Sequence, residues 1–165
     1  MTTNNADYAT YIAGLPRVLA AAACLFRDAE GRVLLVEPNY RTGWALPGGT
    51  VESETGEGPR QAARRETVEE IGLDLAPGRL LAVDWARGDG RPPIVAYLYD
   101  GGVLTPEQFA AIRLQEEELL SWKPVARADL GGYLPAPLER RVRAALDVLG
   151  SGGSTVELED GNPVA

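Results

Sequence analysis

A mixed α/β fold is predicted for this chain by three observations. Apolar runs of strand length, Val18 to Phe26, Val33 to Val36, Leu80 to Trp85, Ile94 to Tyr99 and Leu119 to Val125, are spaced out by polar turns. Two helices stand between and after them, one delimited by its own punctuation from Gly58 to Ile71 and one with helical apolar spacing from Leu138 to Leu149. With 165 residues and 45% hydrophobic content, the chain suits one buried core and is too short for two.

Taken in order, Asn5 to Ala13 has the character of a short helix ending at Gly14, before Pro16 and Arg17 redirect the chain. The run Val18 to Phe26 and the run Val33 to Val36 read as two strands around a turn at Asp28 to Gly31. Cys24, inside the first run, reads as a packing residue. Pro59 suits a first helical turn, where its missing N–H is not needed, and Gly72 suits the position just past a helix end. Leu80 to Trp85 and Ile94 to Tyr99 follow as strands joined at Gly88-Asp89-Gly90; Trp85 and Arg87 share a face with Val83, and Tyr97 shares one with Tyr99. Pro106 to Ile112 reads as a short helix. Residues 150–165 begin Gly-Ser-Gly-Gly-Ser and read as a flexible tail. The expected organisation is an N-terminal extension over 1–16, a domain over 17–149 and the tail.

Composition narrows the function. A formal net charge of -8 argues against a nucleic-acid polymer as partner, because phosphate backbones recruit basic surfaces. A small phosphorylated substrate remains compatible, since bound cations change the local field, and a homodimer stays open. Cys24 is the only cysteine, so no disulfide forms within the chain, as expected in a reducing cytoplasm. No apolar run is long enough to span a bilayer, and the start MTTNNADYATYIAGLPR lacks the basic and apolar blocks of a signal peptide.

The chemistry concentrates between Gly48 and Leu73. Glu66, Glu69 and Glu70 are spaced i, i+3, i+4 and project from one side of the expected helix. Glutamates at that spacing are often a solvated face. Here Ala62, Ala63 and Thr67 are small, so only short side chains separate the acidic side from the packing side. Like charges so close repel, and a hard divalent cation would remove the conflict. Arg65 can neutralise an upstream acid such as Glu57.

At these residues the chain resembles the Nudix hydrolases, whose signature is a glycine, five residues, a glutamate, seven residues, then Arg-Glu, two residues, Glu-Glu, one residue and Gly. The second half stands as Arg65-Glu66-Thr67-Val68-Glu69-Glu70-Ile71-Gly72-Leu73, with Glu57 correctly placed before it. Thr67 departs, being polar where an aliphatic is usual. Gly49 is separated from Glu57 by seven residues rather than five, an insertion near Ser53-Glu54-Thr55. Glu54 falls at the literal spacing from Gly48, but Glu57 is preferred because the helix fixes the distance to Arg65 and a loop absorbs extra residues. Trp44-Ala45-Leu46-Pro47-Gly48-Gly49 also resembles the family's approach to this loop.

The resemblance implies an α/β/α sandwich with a mixed β-sheet and hydrolysis of a diphosphate linkage with Mg2+, or Mn2+ in its place. It implies that Glu66, Glu69 and Glu70 are metal ligands or activate water, that the Gly49 carbonyl adds an oxygen, and that Glu57 pairs with Arg65. It further implies a carboxylate from a later loop, for which Glu116, six residues before Trp122, fits best, with Glu117 and Glu118 as substitutes. The chain has no histidine to act as base, so a glutamate takes that role.

For the substrate, Tyr40, Arg41, Trp44 and Arg87 are candidates to stack on a base or grip a phosphate, with Trp44 alternatively a packing anchor. The proline of the family's ADP-ribose hydrolases falls at Gly88 and the tyrosine of its dinucleoside polyphosphate hydrolases at Gly90, although Pro92 and Pro93 are close to the first. Neither class is supported, and a nucleoside diphosphate derivative, favouring nucleoside triphosphates, is the expected substrate. The alternative is a nucleotide-binding regulatory module without turnover. Isomerisation of isopentenyl diphosphate would need a catalytic cysteine, which Cys24 in an apolar strand does not provide.

Overall fold

The computed structural model describes residues 5–164. Strand β1 (Leu19–Arg27) is its centre, because its side chains alternate between two helical layers. Ala22, Cys24 and Phe26 face one layer and Ala23 and Leu25 the other. A strand covered on both faces reads as an unbroken apolar run, which is what Val18 to Phe26 is.

Around β1 lie β2 (Val33–Pro38), β3 (Gly48–Thr50), β4 (Leu80–Ala86), β5 (Ile94–Val103), β6 (Leu119–Val125), β7 (Val156–Glu159) and β8 (Asn162–Pro163). The strand order is β6-β2-β1-β5-β4-β7-β8, with β3 on the β2 side of β1. Pairs β1–β5 and β4–β7 are parallel and the remainder antiparallel, so the sheet is mixed.

Helix α1 (Asn5–Ala13) precedes the sheet and leaves Tyr8 and Tyr11 exposed. On one face, α2 (Pro59–Ile71) buries Ala62, Ala63 and Ile71 against Ala22, Cys24 and Phe26, joined by Ile112 just beyond α3 (Pro106–Ala111). On the other, α4 (Ala136–Ser151) buries Val142, Ala145 and Val148 against Leu25, Leu35, Leu81 and Leu98. The expected α/β/α sandwich is therefore observed. Gly72 closes α2 with its N–H on the Val68 carbonyl, 3.0 Å away.

The C-terminal segment corrects the sequence reading. Residues 150–165 were expected to form a flexible tail, yet α4 continues to Ser151 and β7 adds to β4 in parallel, Ala82 opposite Val156 and Trp85 opposite Glu159. The Gly-Ser composition serves only the turn, while Val156-Glu157-Leu158-Glu159 carries a strand alternation that buries Leu158 in the α4-side core. Gly161 permits the closing turn: a methyl group there would strike the Pro137 carbonyl of α4.

Replacing Leu158 by alanine should therefore destabilise the domain by about 3 kcal/mol, the usual cost of emptying a buried leucine site. Urea unfolding measures this, and a loss too small to detect would mean that the segment does not belong to the core.

Candidate active site

Helix α2 positions the acidic residues. Pro59 occupies its first turn, and Gln61 Oε1 accepts from the free Gly58 N–H at 2.9 Å. Thr67 is fully buried, and its hydroxyl donates to the Ala63 carbonyl at 2.7 Å, which explains how a polar residue occupies an aliphatic position. Cys24 lies nearby, its thiol pushed up to about 11 chiefly by burial. It is inert packing, as expected.

Arg65 ties the loop to the helix. Its Nε and Nη2 donate to the two Glu57 carboxylate oxygens at 2.8 and 3.0 Å, and Nη2 also reaches the Thr50 carbonyl at 3.0 Å. Nη1 donates to Glu66 at 2.9 Å and Glu69 at 3.0 Å. Glu57 in turn accepts from the Glu52 N–H. The two extra loop residues are absorbed in a 3₁₀ turn over Ser53–Thr55, which leaves Glu54 exposed and brings Glu57 to Arg65. That ion pair, above all its hydrogen bonds, holds Glu57 below the usual carboxylate range.

Glu66 and Glu70 have the opposite environment. Glu70 is 4% exposed and accepts from the Gly48 N–H at 2.8 Å. Burial pushes it up to about 8 against the relief of that hydrogen bond, with Glu66 and Glu118 adding repulsion and Arg41 offsetting it. Glu66 is also raised, first by burial, with Arg65 opposing. Its carboxylate rests against Gly49, where any Cβ would collide with it. Gly48 packs as closely on Ala22 and Ala23 of β1, so both glycines are required by contact.

Glu66 shares one arginine with two other glutamates, and Glu70 has no ion pair of its own with any described residue. Among the described residues no group of three or more acidic, histidine or cysteine side chains converges into a closed metal cage. Mg2+ does not require one, since it keeps several waters and takes one or two carboxylates together with substrate phosphate oxygens. The donor set therefore fits a hard divalent cation.

The remaining candidates divide. Tyr40 and Arg41 are exposed and line a cleft of about 360 Å³ together with Gly48, Gly49 and Glu70. Trp44 packs edge-on against Tyr133, ring centroids 5.4 Å apart, and joins the α4-side core, so the anchor reading applies. Arg87 does not line the cleft. It lies one residue past β4, with its N–H on Asp160 and its guanidinium on Glu159. Its assignment to substrate binding is withdrawn. Trp85 is exposed, while Tyr99 is core beneath Arg60, whose guanidinium carbon is 4.7 Å from the ring centroid.

In the acidic turn, Glu118 rather than Glu116 acts electrostatically on Glu66 and Glu70. The Arg113 and Gln115 N–H groups bond the Ile71 and Glu70 carbonyls, which pins the turn to the end of α2. An offset counted from Trp122 could not reveal this folding back. Sequence reasoning also missed Arg141, which lines the cleft from α4.

The family model for the NUDIX domain matches residues 16–147. The chain belongs to the NUDIX family. Among solved structures it is similar to the MutT protein from Methanosarcina mazei Go1, at 23% identity and a TM-score of 0.67, covering 84% of this chain and 98% of that one. The NUDIX domain of Shewanella oneidensis NrtR, complexed with ADP ribose, gives 18% identity and a TM-score of 0.71 over 89% and 99%. A C. elegans Ap4A hydrolase binary complex gives 23% and 0.64 over 81% and 99%. At such identities the likeness shows the fold alone. The chain also shares 33% identity over 96 residues with the aliphatic sulfonates import ATP-binding protein SsuB 3 of Nocardia farcinica (strain IFM 10152), covering 55% of this chain and 39% of that protein. It thus spans about two fifths of that relative's length.

The Glu70 environment has a measurable consequence for this Nudix domain. An acid whose folded pKa of about 8 exceeds its ordinary 4.5 supports folding fully below the lower value, and that support is lost as pH rises through the upper one. In the presence of a chelator, the Tm of the wild type should fall from about pH 5 to about pH 9 relative to Glu70→Gln, which cannot ionise. Scanning fluorimetry of both proteins would sink the assignment if their Tm difference stayed constant.

Proposed function

We propose that this Nudix domain is a Mg2+-dependent hydrolase of the diphosphate linkage in a nucleoside diphosphate derivative, with nucleoside triphosphates favoured. The observation that carries the reading is the desolvated pair Glu66 and Glu70, held against Gly48 and Gly49 at the edge of a cleft large enough for a small ligand. The cation supplies charge neutralisation of phosphate oxygens and a more acidic bound water. Glu66, Glu69 and Glu70, with the Gly49 carbonyl, would hold it together with substrate oxygens and water, and Glu118 or Glu116 would add a carboxylate from the acidic turn. One of the helix glutamates accepts the proton of the attacking water, since the chain has no histidine.

Arg65 and Glu57 act through geometry. Their fork holds Glu66 against Gly49 and fixes Glu69 one turn along, which is positioning rather than contact with the reacting atoms. Arg41, which relieves Glu70 electrostatically, is placed to meet phosphate charge, and Tyr40 beside it offers a ring for stacking.

Nucleoside triphosphates, nucleoside diphosphate sugars and dinucleotides should be screened with and without Mg2+, and with Mn2+ in its place. Turnover of at least one class should depend on the cation, and Glu69→Gln and Glu70→Gln should each lower kcat about 10²- to 10⁴-fold with the fold retained. Tight nucleotide binding with no cation-dependent product would instead support the regulatory-module reading, and variants as active as wild type would remove the glutamates from the chemistry.

A further inference from the structure

The cleft has two ends of different character. At one, Glu70, Gly48 and Arg41 surround the carboxylate site; at the other, Leu138 and Arg141 of α4 form the wall. The sheet register measures the distance between them. Gly48 of β3 pairs with Ala23 of β1, Ala21 of β1 pairs with Ala96 of β5, and Ala96 pairs with Asp84 of β4. Gly48 and Asp84 are therefore three strand spacings apart and offset by two residues along the strands, roughly 16 Å in all.

Asp84 is fully buried, on the side of the sheet covered by α4. Its Oδ2 accepts from Arg141 Nε at 2.7 Å and its Oδ1 from the Gly161 N–H at 3.1 Å. A buried carboxylate is strongly unfavourable without such partners, so the guanidinium is held in one orientation. Only Nε is used in this way. Nη1 and Nη2 of Arg141 donate to no acceptor among the described residues and neither is a buried unpaired atom, so both reach solvent, on a residue that lines the cleft. Between this fork and the carboxylates the floor is Ala21, Ala23, Ala96 and Leu98. Short apolar side chains on a sheet make a flat slot, which suits a planar ring and offers nothing to a phosphate.

We propose that Arg141 reads the substrate's base: its two free nitrogens engage the adjacent O6 and N7 acceptors of a 6-oxopurine, guanine or hypoxanthine, whose ring and ribose lie over the apolar floor and whose phosphates reach the Glu66 and Glu70 end. An arginine fork matches that acceptor pair, whereas adenine presents an N6 donor beside N7 and meets the fork with like polarity. Asp84 is a positioning residue that acts through Arg141. The inference rests on the nucleotide-hydrolase reading and specifies its substrate class.

The test is equilibrium binding of nucleoside 5′-monophosphates, which contain no anhydride and are read without turnover. GMP and IMP should bind wild type about 10- to 100-fold more tightly than AMP or 7-deaza-GMP, which lacks the N7 acceptor. In Arg141→Gln, and in the double variant Asp84→Asn/Arg141→Gln that removes the buried charge with its partner, the preference should fall below about threefold while AMP binding stays as it was. Arg141→Lys should not restore it. Equal binding of GMP and 7-deaza-GMP by wild type overturns the proposal without any variant. So does an Arg141→Gln protein that loses all nucleotides and inorganic pyrophosphate alike, because Arg141 would then grip phosphate. Nucleotide hydrolysis without base preference overturns this inference alone; no binding or turnover of any nucleotide overturns the proposed function with it.

Discussion

The guanidinium of Arg65 is the joint on which the site depends. One planar group ties the Glu57 loop, the end of β3 at Thr50 and two helix glutamates together, with every nitrogen engaged. Lysine could not substitute, since a point charge on a flexible stem cannot satisfy acceptors lying in several fixed directions. The geometry also divides the acids by environment. Glu57, Glu66 and Glu69 all take hydrogen bonds from Arg65, while Glu70, turned toward Gly48, has none from an arginine among the described residues; burial raises both Glu66 and Glu70.

Such a site costs stability, and the fold compensates locally. The buried flank of α2 is small and fully packed, with Ala62, Ala63 and Thr67 allowing the helix to lie close to β1. Bulkier side chains would lift α2 from the sheet and draw Glu70 away from the Gly48 N–H. The same closeness leaves no room for a side chain at Gly49. Helix and loop thus fit through the absence of atoms as much as through contacts.

Much of the architecture was legible because its signals are local. Pro59 and Gly72 delimit α2 within the sequence itself, and the continuous apolar runs mark strands covered on both faces. Glu57 could be chosen over Glu54 because a helix keeps count where a loop does not. What escaped was decided through space. Glu118 acts on Glu66 and Glu70 because hydrogen bonds to the end of α2 turn that loop, and Arg141 lines the cleft because α4 crosses the sheet above Asp84. Arg87 shares a strand parity with the expected cleft face, but it lies past the end of β4 and meets a hairpin that its own sequence neighbourhood does not announce. That hairpin was obscured by the glycine and serine residues leading into it.

The hairpin bears on how the molecule assembles. Asp84 enters the interior at the middle of the sheet, yet its two partners arrive from residues 141 and 161, long after it in the order of synthesis. Until both are available, a carboxylate on a central strand has no acceptable place away from water, so closure of the α4-side core waits for the end of the described chain. The family match stops at residue 147, inside α4. A fragment cut at that boundary would keep all the acidic residues of α2 and still lack the Gly161 donor, the strand beside β4 and Leu158 of the core. The stretch that matches the family and the stretch that completes this core are not the same length.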